Sequence, residues 1–200
     1  MRYLSPFTIG FKVILIAIAA FSIYRLCFLG FNFQSVPEHA DHIAYLYYRS
    51  LLYGLNFDLV VTCYLIAPFV VFLFIRQITQ QEFTKGFIFF KWYFILLFSI
   101  CLLICAADIP YFKQFATHFN KAAFTWASSP GFMFKLIFSN FSYWGFLFLF
   151  LALVTFVYKR FSKLFSQIPK PEISIPKWKL TVVFLFLGLF TFIGMRGPTA

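Results

Sequence analysis

Five apolar runs dominate the hydropathy pattern of this chain, at about Ile9–Phe33, Phe57–Ile75, Phe87–Ala107, Phe134–Tyr158 and Leu180–Met195. A bilayer core takes about 20 apolar residues per spanning helix. The first four runs reach or approach that length. The fifth is shorter, and Trp178 with the stems of Lys177 and Lys179 extends it into the interface. The pattern predicts an all-α fold: a single polytopic domain over 1–200 with five transmembrane helices. Five spans put the two ends of the chain on opposite sides of the membrane, and a partner domain is expected beyond residue 200.

The polar stretches between runs add detail. Asp41–Tyr53 (DHIAYLYYRSLLY) reads as an outer interfacial helix, with Ile43, Leu46, Tyr47 and Leu51 available for one face. From Tyr111 to Phe132 aromatics alternate with polar residues, Lys113, His118 and Lys121 among them, as in segments lying in the interface. Pro169, Pro171 and Pro176 make the fourth-to-fifth connection a turn or extended link. Pro68 is expected to kink the second span, and Gly54 and Gly197 fit turns or caps. No internal repeat and no low-complexity tract is present.

Composition agrees with a membrane protein: 62% of residues are hydrophobic and 12% charged, which no ordinary soluble domain shows. The net charge of +11 would suit nucleic acid, but the basic residues flank spans and form no recognisable binding module. They set orientation instead and attract anionic phospholipid headgroups. Arg2 and Lys12, then Arg76, Lys85 and Lys91, then the run from Lys159 to Lys179 fall on one side. The expectation is a multi-pass membrane protein, N-terminus cytoplasmic and C-terminus extracytoplasmic.

Candidate chemistry is sparse. Charges within spans are costly and call for a reason. Arg25 in the first span, Asp58 at the start of the second and Asp108 at the end of the third all fall in the outer half, and Arg25 is expected to pair with one of the two carboxylates. The pair could fix helix packing, Arg25 could meet a lipid headgroup, or the charges could snorkel to water. Cys101 and Cys105 share a helix face as small packing residues. His39, His42 and His118 are too scattered for a metal site, and Cys27 and Cys63 lie in apolar runs. No Walker loop, dinucleotide turn, HExxH or nucleophile elbow occurs, and no catalytic or metal-ligating residue is assigned within the chain.

Three stretches carry a family resemblance: Phe21-Ser22-Ile23-Tyr24-Arg25-Leu26, Tyr53-Gly54-Leu55-Asn56-Phe57-Asp58-Leu59, and Ala106-Ala107-Asp108-Ile109-Pro110, with Arg196-Gly197 past the fifth run. Together they resemble the N-terminal membrane domain of the lipoteichoic acid synthase family, phosphoglycerol transferases of the alkaline phosphatase and sulfatase superfamily. Asn56 stands where that family often has Arg. The resemblance implies a bacterial plasma membrane as the location, and an extracytoplasmic catalytic domain after residue 200, with a Thr nucleophile and a divalent metal (Mn²⁺ or Mg²⁺). Carried over to this chain are Arg25, Asp58 and Asp108 as a polar cluster and Arg196 and Gly197 at the outer boundary, none with a catalytic role. The expected function is the membrane anchor and lipid-access domain of a phosphoglycerol or phosphoethanolamine transferase, or of a sulfatase. The alternative is a stand-alone carrier or structural membrane subunit.

Overall fold

The computed structural model describes residues 6–32, 42–79, 84–118, 131, 138, 141–166, 188–189 and 191–192. The described residues form an all-helical bundle with α1 over Pro6–Phe31, α2 over Ile43–Thr79, α3 over Thr84–Phe115 and α4 over Phe141–Ser166. All four are long and apolar enough to cross a bilayer. The fifth run lies largely outside the described residues, as do Arg196 and Gly197.

Each helix boundary has a local cause. Proline, with its φ already helical, opens α1 at the first position, where no N–H partner is needed. Asn32 closes it: its backbone N–H and side-chain Nδ2 both donate to the Phe28 carbonyl, at 3.0 and 3.1 Å. His42, at φ 61°, turns the chain into α2, and its carbonyl accepts from the amides of Tyr45 and Leu46. Ala116, at φ 52°, ends α3 in the left-handed conformation that usually belongs to glycine.

Two expectations need correction. The stretch expected as a separate interfacial helix over Asp41–Tyr53 is, from Ile43 on, the first three turns of α2. Gly54 accordingly is neither a turn nor a cap but a helix-interior residue. The polar and aromatic residues there do not break the helix because a continuous backbone satisfies its own hydrogen bonds. At 37 residues α2 is about 56 Å long at 1.5 Å per residue, well beyond a hydrocarbon core of about 30 Å. Its first turns carry Arg49, which donates to the Tyr53 hydroxyl at 2.7 Å and lies over the Tyr45 and Tyr53 rings. The helix also continues through Pro68, as α3 does through Pro110.

Packing follows the phenylalanines. α1 packs mainly on α2 and α3 mainly on α4, while α1 also touches α3 and α4. Phe69 of α2, Phe87, Phe90, Phe94 and Phe98 of α3, and Phe161 and Phe165 of α4 form one buried aromatic column. Phe94 sits at its centre, with ring centroids 5.4 Å from Phe69 and 6.0 Å from Phe161. One end of the column is covered by the buried Arg76, whose guanidinium carbon lies 4.8 Å from the Phe87 centroid. At the other end Phe98 meets Phe21, 6.0 Å away, and the interior becomes polar. Elsewhere the hydroxyls of Thr62, Ser99 and Thr155 donate to carbonyls four residues back in their own helices. That is how these three hydroxyls are satisfied in a bundle with few polar partners.

Candidate functional site: a polar pocket at the Arg25 end

The change of character above Phe21 centres on Arg25. Its Nη2 donates to Asp58 Oδ1 at 2.7 Å and its Nε to Asp58 Oδ2 at 3.2 Å, a two-point contact between α1 and α2. Nη2 donates again to the Gly54 carbonyl at 2.8 Å. That carbonyl lies one turn before Asp58 on the same face, so the guanidinium spans both acceptors. The approach requires glycine, because a Cβ at position 54 would overlap the guanidinium.

Burial decides how strongly the pair is felt. The Asp58 side chain is 9% exposed and the Arg25 side chain 25%. A carboxylate that buried needs its cation, since an unpaired charge in this setting costs several kcal/mol. Thr62 adds a hydrogen bond from its hydroxyl to the Asp58 backbone carbonyl at 2.7 Å, holding the turn that carries the acid.

Asp108 pairs differently. Its Oδ2 is 2.9 Å from His118 Nδ1. The left-handed residue Ala116 makes this possible, since it turns the chain back at the end of α3 and returns His118 towards Asp108. The imidazole stacks on Phe28 of α1 at 5.2 Å, and Phe112 packs its edge on the same Phe28 at 5.0 Å. Arg25 and Asp108 thus face one space from different helices, and the guanidinium engages Asp58.

The space is a cavity of about 140 Å³, lined by Tyr24, Arg25, Phe28, Asp58, Asp108 and His118 among others. Tyr24 is 2% exposed, yet its hydroxyl has no hydrogen-bond partner among the described residues. Arg25 Nη1 likewise has none there. The pocket therefore combines donors held by the protein with donor capacity left over. Asp58, Asp108 and His118 share it but do not make a three-ligand metal set among the described residues. Cys105 also lines it, as a free thiol.

The intramembrane charges were visible in sequence. The Gly54 carbonyl, the Tyr24 hydroxyl and the His118 contact were not. The spacing of Gly54 and Asp58 by one helical turn is the signal that could have revealed the first. No protein-family model, curated protein or solved structure matches this chain.

Proposed function

We propose that this chain is the membrane domain of a lipoteichoic-acid-synthase-like phosphoglycerol transferase or a related sulfatase-superfamily enzyme, and that its Arg25 pocket receives the headgroup of a membrane lipid. The observation that carries the reading is the part-buried Arg25–Asp58 pair beside an unpartnered, buried Tyr24 hydroxyl in one small polar cavity. Packing alone explains an ion pair. It does not explain a hydroxyl buried beside it without a partner, which costs about 1–3 kcal/mol if nothing ever meets it.

The donor set suits a glycerophosphate headgroup. Arg25 Nη1 and the Tyr24 hydroxyl can donate to phosphate or glycerol oxygens. Asp108 and Asp58 can accept from glycerol hydroxyls. The sequence motifs around Arg25, Asp58 and Asp108 support the same family. In this reading the chemistry itself, attack of a metal-activated Thr on phosphorus, belongs to an extracytoplasmic domain following residue 200, and the bundle holds the lipid at headgroup height. The N-terminus is cytoplasmic, the fifth run is a fifth span, and Arg25 faces the outer leaflet.

A photoactivatable phosphatidylglycerol, with its reactive group in the headgroup, tests this on the purified chain in nanodiscs. The proposal expects crosslinks on peptides containing Leu29 or Ser50, which line the pocket, lost on competition by unlabelled phosphatidylglycerol but not by diacylglycerol. Labelling confined to other regions, or equal competition by diacylglycerol, would sink it.

A further inference from the structure

A second cavity lies at the opposite end of the bundle, in the groove between α1 and α4. It measures about 400 Å³, within the range of small-molecule sites. Lys12, which lines it, precedes Arg25 by thirteen residues, or about 20 Å of helix at 1.5 Å per residue. The two linings share no residue, so the cavities are separate.

The lining divides into two chemistries. Leu15, Ile16, Phe156 and Leu164 make apolar walls. Lys12 of α1 and Arg160 and Lys163 of α4 supply three cations. The only carboxylate side chains among the described residues, Asp58 and Asp108, line the other cavity. No ion pair among the described residues involves any of the three cations. Arg160 is oriented over the Phe156 ring, 5.1 Å from its centroid, which poises its guanidinium at the border between the walls and the cationic rim.

An occupant of this groove must offer negative charge at the rim and hydrocarbon below it. Leu15 and Phe156 are exposed on the bundle surface, so the groove opens towards the acyl chains of a surrounding bilayer. A soluble anion would satisfy the cations and leave the walls bare. A zwitterionic lipid would satisfy the walls and bring its own cation to the rim. We propose that the α1–α4 groove is a binding site for one anionic phospholipid, its phosphate held by Lys12, Arg160 and Lys163 and its acyl chains laid along Leu15 and Phe156. Basic pockets between membrane helices bind such headgroups for the same reasons. α1 packs less closely on α4 than on α2, so the lipid would add a tie between α1 and α4.

The experiment uses the full chain in detergent micelles, titrated with phosphatidylglycerol or with phosphatidylcholine of the same acyl chains. Binding is read at this groove by acyl-chain photocrosslinking to peptides containing Leu15 or Phe156. The expected result is preference for phosphatidylglycerol, weakened about fivefold by each of Lys12→Gln, Arg160→Gln and Lys163→Gln. Lys163→Arg should retain it. Ala19→Phe, which adds a ring to an exposed residue lining the groove, should abolish it, and inorganic phosphate should not compete. Tyr24→Phe, at the other cavity, should leave it unchanged, which separates this site from the proposed headgroup pocket. Equal binding of the two lipids, indifference to the three Gln variants, displacement by inorganic phosphate, or crosslinking that survives Ala19→Phe would each overturn the proposal.

Discussion

Gly54→Ala should destabilise this protein, although alanine is much the better helix residue. In an ordinary helix interior the change gains about 0.8–1 kcal/mol. Here the new Cβ overlaps the Arg25 guanidinium. A flexible side chain usually moves aside at little cost, but this one is tied to Asp58 by two hydrogen bonds, at 2.7 and 3.2 Å, and to the Gly54 carbonyl by a third at 2.8 Å. Removing one partner of a buried ion pair costs about 3–5 kcal/mol, because the other charge is left buried. Arg25 is a quarter exposed, so part of that cost is screened, and about 2–3 kcal/mol is the reasonable share. Subtracting the gain in helix propensity leaves a net loss of about 1–2 kcal/mol. The assay is reversible denaturant unfolding in mixed micelles, followed by circular dichroism, in two backgrounds. In Arg25→Ala the obstacle is gone, and Gly54→Ala should then stabilise by about 1 kcal/mol. Equal stabilisation by Gly54→Ala in both backgrounds would refute the reasoning.

Arg25→Ala and Asp58→Ala should each destabilise, Arg25→Ala more, since Asp58 is the deeper of the two charges; a double-mutant cycle should show coupling of about 1–3 kcal/mol, and additivity would contradict the pair. Ala116→Gly should stabilise by about 1 kcal/mol in thermal unfolding, because Ala116 is held at φ 52° without the freedom of glycine; a loss of stability would mean the left-handed turn is not formed. Reporter fusions at Lys163 and after Ala200 should report cytoplasmic and extracytoplasmic positions respectively, if the proposed orientation holds; the reverse signal at Lys163 would overturn it.

The legible part of the fold was what depends on hydropathy. Runs of about 20 apolar residues locate the described spans, because a bilayer allows few other solutions. Boundaries were less legible, since they depend on backbone continuity. Arg49, Ser50 and the tyrosines of 45–53 look like a surface segment, yet they prolong α2, and the end of α4 runs past Tyr158 to Ser166 with Lys159, Arg160 and Lys163 on it. In the polar pocket Arg25, Asp58 and Asp108 stood out because charge is rare in apolar runs. Which carboxylate takes the guanidinium was not readable: it follows from the α1–α2 packing and from Gly54, whose missing Cβ admits Arg25. His118 joins only through the reversal at Ala116, which local sequence does not announce. Tyr24 reads as one more interior aromatic until its hydroxyl is found without a partner.

The most direct test of the headgroup reading is Tyr24→Phe, measured for both stability and lipid capture on the same preparation. Phenylalanine keeps the ring in a nearly fully buried position and removes only the hydroxyl. If that hydroxyl is held for a ligand, its loss should stabilise the lipid-free bundle by about 1 kcal/mol. The same change should weaken headgroup crosslinking at Leu29 and Ser50. A variant that is less stable than the parent, with headgroup crosslinking unchanged, would contradict the account and return the Arg25 pocket to helix packing alone.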